Sequence, residues 1–402
     1  MPVNPPSPQI RTVGDVPAAA AASRETRWVW ADNVRTAIIL LVVNIHCCVT
    51  YSYVGSWYVN DGPERSLTAK LPFILWEFHL QAFFMGLLFF LAGIFADGAI
   101  RRRGPGLFLR ERLLRLGLPS LLYMVFLQPL IVCGLLAHST LPGDPTRLAL
   151  YVRYLTTTRV LRGNGPMWFA LALLFFSAVL ALWRSFSPLK TTHLSHPAPG
   201  VGGLLAFAAV LVLATTVTRV FFPIETNFYN FQLCFFPQYI AAFVVGLAAA
   251  KGGWVRELVA SRRARLAGWL GLIGGPLAFL LLIFLGGTTA DHGVKLYFGG
   301  WNLRALGLAV CEQFAGLGLA LGMMAWFQRS FNRENPVARW LSARSFAVYV
   351  LHPPILVGLT LCFRPIPIGP CLHVVLLTLT GLGLSFAVAD VIKRVPGLRR
   401  IL

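Results

Sequence analysis

The sequence predicts an all-α integral membrane protein with about ten transmembrane helices. Of its 402 residues, 56% are hydrophobic and only 12% are charged, whereas a soluble domain carries about twice that charged fraction. Apolar stretches long enough to cross a bilayer recur along the whole chain. Short loops rich in arginine and lysine separate them, which is typical of a polytopic membrane protein.

Ten apolar stretches are predicted as spans, and each is bounded by polar or basic residues. The sixth is short for a crossing and borrows residues from the loop before it. The stretches cover residues 28–53, 71–96, 116–137, 167–183, 201–222, 237–250, 266–285, 302–327, 340–361 and 372–392.

The distribution of basic residues predicts the orientation of the chain. The formal net charge is +20, but the positive residues lie in short loops and no basic domain interleaved with aromatic residues is present, so we predict no nucleic-acid partner. Most basic residues fall in both tails and in the loops after spans two, four, six and eight, which places both termini in the cytosol. We predict a disordered cytosolic tail at 1–26, a transmembrane domain at 27–395 and a cytosolic tail at 396–402.

The first span carries ionisable residues on one face. Asp32, Arg35 and His46 lie within about 60° of one another around an α-helix, and His46 lies about 16 Å deeper than Arg35. Tyr53 is predicted to continue this polar column. Ionisable residues at membrane depth indicate a functional site; the alternative is an interfacial Asp32–Arg35 pair with a separate, hydrogen-bonded core histidine.

The loop after span two is strongly basic and predicts a surface that binds an anion. In the segment FLRERLLR, Arg112 and Arg115 are three residues apart and are expected to share a helical face, with Arg110 beside them. Arginine forks bind phosphate oxygens in pairs, so a cofactor with several phosphates would suit this surface. The alternatives are a topology signal or contact with anionic lipid headgroups.

Further polar residues lie inside other spans. Glu77 and His79 lie near the outer end of span two, where His79 is either a second cavity histidine or a solvated interfacial residue. Glu312 lies near the middle of span eight, so we expect it to pair with an arginine or a histidine. Tyr349 and His352 face together in span nine, and two prolines that follow free backbone carbonyls that can line a cavity.

Other motifs carry less chemistry. The glycines of GLGLALG, residues 316–322, follow no strand and are predicted to serve helix packing rather than dinucleotide binding. No histidine pair has zinc spacing, so we predict no metal. Cys362 and Cys371 flank a loop placed outside the cell, and the sequence leaves open whether they form a disulfide.

Taken in order, these segments resemble the acyltransferase-three family of integral membrane proteins, and within it the glucan-biosynthesis C-like and O-antigen O-acetylase-like members. The first span looks like the family's first-span signature. In the second span, this chain has Ala92 at a position where the family commonly has serine. The matching segments are DNVRTAIILLVVNIH (32–46), FHLQAFFMGLLFFLAGIF (78–95), FLRERLLRLGLP (108–119), GPMWF (165–169), FPQYIAAFVVGLAAAKGGW (236–254) and SFAVYVLHPPI (345–355).

This resemblance implies a membrane O-acyltransferase. It would move an acyl group, acetyl or succinyl-like, from cytosolic acyl-CoA as co-substrate to a hydroxyl of a glycan or lipid-linked acceptor at the outer face of the cell membrane, by analogy a bacterial inner membrane. The implied catalytic residues are His46, Asp32 and Arg35. Arg110, Arg112 and Arg115 would bind the CoA phosphates. The residues expected around the substrate cavity are Glu77, His79, Trp168, Glu312, Tyr349 and His352.

Two other classes of function remain open at this stage. A transporter or flippase of a lipid-linked or small polar substrate would use the same buried charges as a translocation path. A membrane scaffold would leave the polar column of span one unexplained. Consumption of acyl-CoA by the purified protein discriminates the enzyme from both.

Overall fold

The protein is described by a computed structural model over residues 28–62, 66–137, 145–187, 197–287 and 295–402. These residues are mostly helical, and their only β pairing is one isolated bridge between Phe228 and Phe231. Helices dominate because a backbone inside a bilayer must satisfy its own hydrogen bonds. The predicted disordered tail at 1–26 lies outside the described residues.

Ten helical segments, numbered α1 to α10 in chain order, correspond to the ten predicted spans. In α3 and α7, π-helical turns interrupt the α-helix. The segments are α1 Val29–Ser52, α2 Leu67–Arg112, α3 at 113–135, α4 Trp168–Phe186, α5 Val201–Phe221, α6 Phe236–Gly252, α7 Arg262–Leu285, α8 Leu303–Ser330, α9 Pro336–Phe363 and α10 Pro370–Ile392.

The segments α2 and α3 follow one another without an intervening loop, and together they cross the bundle twice. In the described part of the chain, nine stretches are long and apolar enough to span a membrane, and one of them, Ala69–Leu135, has 67 residues. At 1.5 Å per residue it is about 100 Å long, about three times the thickness of the hydrocarbon core. Gly104 has φ 75° and breaks the helix immediately before a proline, where the chain reverses.

Contacts with the first span support this reversal. The guanidinium of Arg35, near the start of α1, lies 4.3 Å from the ring centroid of Phe95 in α2. The hydroxyls of Tyr58, just beyond the end of α1, and Tyr123 in α3 are 2.7 Å apart. The chain therefore runs from the Tyr58 side to the side of the N-terminus and back, which gives about ten crossings. We call these two sides the far side and the N-terminal side.

The first helix ends one residue before the sequence-based prediction. Tyr53 has φ 61° and caps the helix in the left-handed conformation. Its hydroxyl donates a hydrogen bond to the carbonyl of Gly62 in the following loop. The prediction that Tyr53 continues the polar column of α1 is therefore wrong, because the chain has already left the helix at that residue.

Glycines allow α7 and α8 to pack with their backbones in close approach. A Cβ added to Gly271 in α7 would lie 2.7 Å from the backbone nitrogen of Leu319 in α8, and Gly318 faces Gly271 across the same interface. Small residues at such positions are common where membrane helices associate. The glycines of the GLGLALG segment therefore serve helix packing, as predicted.

The helix α1 lies inside the bundle and positions the candidate site. It packs against α2, α8, α9 and α10, and Val34, Ile38 and Val43 on it are completely buried. The helix is therefore surrounded by other helices, and Asp32, Arg35 and His46 on its polar face are half-buried. Elsewhere Cys362 and Cys371, at the adjoining ends of α9 and α10, are both exposed free thiols.

Candidate functional site

At the N-terminal side, the polar face of α1 begins with an ion pair. Arg35 Nη1 lies 3.3 Å from Asp32 Oδ1, one helical turn away. The same guanidinium stacks on Phe95, which combines a charge contact with a cation–π contact. The contact agrees with the predicted shared face of Asp32 and Arg35, and an ion pair between them is also what the alternative interpretation of the first span contains.

The basic loop after span two comes close to this ion pair. The electrostatic neighbours of Arg112 are Arg35, Arg115 and Arg103, and the Arg112 guanidinium also lies 5.2 Å from the ring centroid of Phe108. Arg103 forms an ion pair with Glu111, eight residues further along the chain. In the described part of the chain, no carboxylate pairs with Arg112. The result is a cluster of positive charge beside Arg35.

The local geometry of this cluster differs from the prediction. Arg115 lies in a π-helical turn, Leu113–Gly117, that begins directly after Arg112. The wider turn changes the angle between the two side chains from that of an α-helix. Arg112 and Arg115 are electrostatic neighbours, although the turn between them is π-helical rather than α-helical. Arg110 and Arg115 are exposed, and Arg112 is half-buried.

At the other end of the α1 polar face, two histidines meet. His46 Nδ1 lies 3.1 Å from His352 Nε2 of α9. The indole of Trp57, in the loop after α1, stacks on the His46 ring at 4.0 Å between centroids and at 6.1 Å from the His352 ring. Trp57 therefore covers the histidine pair from the far side.

A proline in α9 sets the hydrogen bonding of this pair. Pro353 lacks an N–H, so the carbonyl of Tyr349 has no helical donor four residues on. The ring of His352 occupies that position, with Nδ1 2.8 Å from the Tyr349 oxygen. A ring nitrogen facing a carbonyl oxygen must carry the proton, so we assign N–H to Nδ1 of His352 and a lone pair to its Nε2.

This assignment fixes the tautomer of His46. Because His352 Nε2 accepts, His46 Nδ1 must donate across the 3.1 Å contact. His46 Nε2 therefore carries the lone pair, and an imidazole nitrogen with a free lone pair can accept a proton or attack a carbon atom.

The segment before α4 braces α9 at this level. The hydroxyl of Tyr349 donates to the carbonyl of Pro166, and Asn230 Nδ2 donates to the neighbouring carbonyl of Gly165 at 2.7 Å. Trp168, at the start of α4, stacks on Tyr239 of α6 with 5.6 Å between centroids. The hydroxyl of Tyr349 therefore contacts the segment before α4, and its backbone carbonyl contacts His352 of the histidine pair. Trp168 instead faces α6.

The carboxyl group of Glu77 is held by the end of α1. Ser52 Oγ donates to Glu77 Oε1 at 2.7 Å, and both residues are buried. The other carboxyl oxygen of Glu77 has no hydrogen-bond partner among the described residues. Ser52 is six residues beyond His46 on the same helix, so Glu77 lies on the far side of the pair.

His79 and Glu312 lie in a different part of the bundle. His79 Nδ1 contacts the carbonyl of Leu75 on its own helix at 2.7 Å, and its Nε2 approaches Gly275 of α7. Glu312 Oε2 accepts from Arg219 Nη2 of α5 at 2.6 Å, with both side chains almost fully buried. The expected pairing of Glu312 with a buried arginine or histidine is confirmed. None of these contacts, in the described part of the chain, joins the His46–His352 pair.

Two participants were not found from the sequence. Arg219 lies near the end of an otherwise apolar span, and its relative exposure is 1%. The mid-span carboxylate of Glu312 is the signal that requires a buried cation. Trp57 follows α1 in a loop, and an aromatic residue near a membrane interface is too common to indicate that it covers a site.

The fold and the site define a polytopic membrane protein with a histidine pair at one end of a polar helix face and clustered arginines at the other. The chain belongs to the acyltransferase-3 family: the family model described as an acyltransferase domain matches residues 28–390. The protein is therefore a multi-pass membrane acyltransferase that requires an acyl donor and an acceptor. No curated protein and no solved structure matches the chain.

Proposed function

We propose that the protein is an O-acyltransferase that moves an acetyl or succinyl-like group from cytosolic acyl-CoA to a hydroxyl of a glycan or lipid-linked acceptor at the outer face of a bacterial inner membrane. The observation that carries the proposal is the 3.1 Å contact between His46 and His352. His46 lies near one end of α1, and Arg35 lies near the other end of the same helix, beside Arg112 and its neighbouring arginines.

The arginine cluster is proposed to bind the phosphates of the donor. Arg35 and Arg115 both repel Arg112, so a bound polyanion would relieve that repulsion. Guanidinium forks match phosphate oxygens in geometry as well as in charge. The excess of basic residues in the tails and in the loops of the N-terminal side supports placing this cluster in the cytosol, where acyl-CoA is available.

The acyl group would then reach the histidine pair along α1. Eleven residues separate Arg35 from His46, about 16 Å of helix rise, a distance suited to an extended thioester arm whose phosphates stay at the arginines. In this proposal Asp32 holds Arg35 in place. The donor and the acceptor would meet beneath Trp57, near the far side.

In the transfer step, His46 Nε2 takes the proton of the acceptor hydroxyl. The hydroxyl oxygen forms a bond to the thioester carbonyl carbon, the carbon–sulfur bond breaks, and the CoA thiolate leaves with the proton that His46 returns. His352 and the Tyr349 carbonyl keep His46 in the tautomer that has its lone pair at Nε2. General-base assistance of this kind contributes typically 10²–10⁴-fold. An acyl-histidine relay through the same nitrogen is the alternative route.

The remaining polar residues are proposed to act on the acceptor side. Glu77 keeps one carboxyl oxygen without a protein partner near the end of α1, where a sugar hydroxyl could bind. Tyr349 and Trp168 support the α4–α9 side of the cavity. His79 and Glu312 lie among α5, α7 and α8, so we assign them to a supporting role.

The direct test is release of free CoA by the purified protein. Protein in detergent is incubated with acyl-CoA and a glycan acceptor, and CoA release is followed with a thiol reagent while the acylated product is measured by mass spectrometry. The proposal predicts both products in equal amounts. Unchanged thioester in the presence of acceptor would contradict it.

A further inference from the structure

A recess of about 870 Å³ opens on the N-terminal side, between the first turns of α9 and the end of α10. It is separate from the arginine cluster of the proposed donor site, because its lining comes from the last two helices and the C-terminal segment. Four of the seven lining residues are cationic and one is acidic. They are Ala343, Arg344, Asp390, Lys393, Arg394, Pro396 and Arg399.

The single carboxylate does not neutralise the recess. Asp390 accepts from Arg344 Nε at 2.7 Å and from Arg394 Nη2 at 2.8 Å. Lys393 donates to the carbonyl of Ala343, and within the described ranges neither Lys393 nor Arg399 has a carboxylate partner. Desolvation, and then repulsion by Arg344 and Arg399, lower the pKa of Lys393. The recess therefore holds an excess of positive charge that an anion would stabilise.

Exposed apolar residues lie next to the basic residues of the recess. Val391 and Val395 flank the basic residues and are 61% and 48% exposed, as expected for side chains in contact with acyl chains. The guanidinium of Arg344 lies 4.4 Å from the ring centroid of the half-exposed Trp340, and tryptophan is enriched at the level of lipid headgroups. A soluble phosphate would contact only the basic residues, whereas a lipid would contact the basic residues with its headgroup and the apolar residues with its acyl chains.

We infer that this recess binds the phosphate-bearing headgroup of an anionic phospholipid, with Lys393 and Arg399 contacting the phosphate and Val391 and Val395 contacting the acyl chains. A basic residue at a membrane surface contributes about 1 kcal/mol to the binding of anionic lipid, which is about fivefold per charge. The site is independent of the acyl-transfer mechanism.

The test is lipid binding by K393Q/R399Q, which removes two cations and leaves the Asp390 ion pairs intact. Native mass spectrometry of the detergent-purified protein is used to titrate phosphatidylglycerol and, separately, phosphatidylcholine with the same acyl chains. The matched control is R262Q/R263Q, which removes two exposed arginines at the start of α7. We expect about thirtyfold weaker binding of phosphatidylglycerol in K393Q/R399Q, no change for phosphatidylcholine, and less than a twofold change in the control.

Three results would overturn the inference. Unchanged binding of phosphatidylglycerol by K393Q/R399Q would show that the recess is not the lipid site. An equal loss of phosphatidylglycerol affinity in R262Q/R263Q would indicate a general effect of surface charge. Displacement of the bound lipid by inorganic phosphate or acyl-CoA would assign the recess to a soluble phosphate. Thermal unfolding of each variant confirms that it is folded, so each titration reports on the recess itself.

Discussion

Replacing Pro353 by alanine tests how the histidine pair is oriented. The new N–H of residue 353 would bond to the Tyr349 carbonyl, the acceptor that His352 Nδ1 contacts at 2.8 Å. A hydrogen bond contributes about 0.5–1.5 kcal/mol net, so losing it should lower the population of the productive tautomer about 2- to 13-fold. We expect kcat to fall by that factor while the KM for acyl-CoA is unchanged. The thermal unfolding temperature should stay the same or rise, because a proline inside a helix is destabilising by about 3 kcal/mol.

The control for this experiment is the adjacent proline. Replacing Pro354 by alanine restores a bond to the carbonyl of Val350 and leaves the Tyr349 carbonyl available to His352. It should therefore raise stability similarly without loss of activity. Both variants are assayed by CoA release at saturating acceptor. Full activity in P353A, or equal losses in the two variants, would refute the assigned tautomers.

Three further predictions concern the donor site, the buried ion pair and the topology. Arg112→Ala should weaken the binding of acyl-CoA, measured by titration calorimetry, about tenfold to a hundredfold, because a hydrogen bond to a charged group is lost. Arg112→Lys should restore little of that affinity. Unchanged affinity would mean that the arginine cluster does not bind the donor and acts only as a topology signal. Arg219→Leu and Glu312→Leu should each lower the free energy of unfolding by about 3–5 kcal/mol, measured by thermal unfolding, because each leaves a buried charge unpaired. The double variant should recover much of that stability. A double variant whose loss equals the sum of the two single losses would argue against the ion pair. Cysteine reporters should be labelled from outside in 138–165 and protected in 101–106, and the reverse pattern would invert the proposed mechanism.

The ten spans and the proximity of Asp32 to Arg35 could be predicted because each depends on local sequence. A bilayer requires long apolar helices, and residues three apart on a helix are neighbours. The same local reasoning failed where the helix changes: Tyr53 leaves the helix in the left-handed conformation, and a π-helical turn begins after Arg112. Tyr53 is neither a glycine nor a proline, so the local sequence does not mark the end of the helix there.

For contacts between distant helices, the sequence predicts that a buried polar side chain needs a partner but does not indicate which residue that partner is. Glu312 needs a buried cation, but no local pattern indicates that Arg219, 93 residues away, supplies it. Likewise His46 and His352 were each singled out, but 306 residues separate them, and a single sequence does not indicate which spans pack side by side. The contact with Trp57 depends on how the loop after α1 folds back, which no periodicity records.

The central claim is that His46 is the base that activates the acceptor, and His46→Gln tests it most directly. Glutamine keeps a hydrogen-bonding side chain but cannot take a proton at neutral pH. We expect acyl transfer to fall about 10²–10⁴-fold, while acyl-CoA binds with the affinity of the unmodified protein and the variant remains folded. Transfer at a near-normal rate by His46→Gln would contradict the account and require another group to accept the proton.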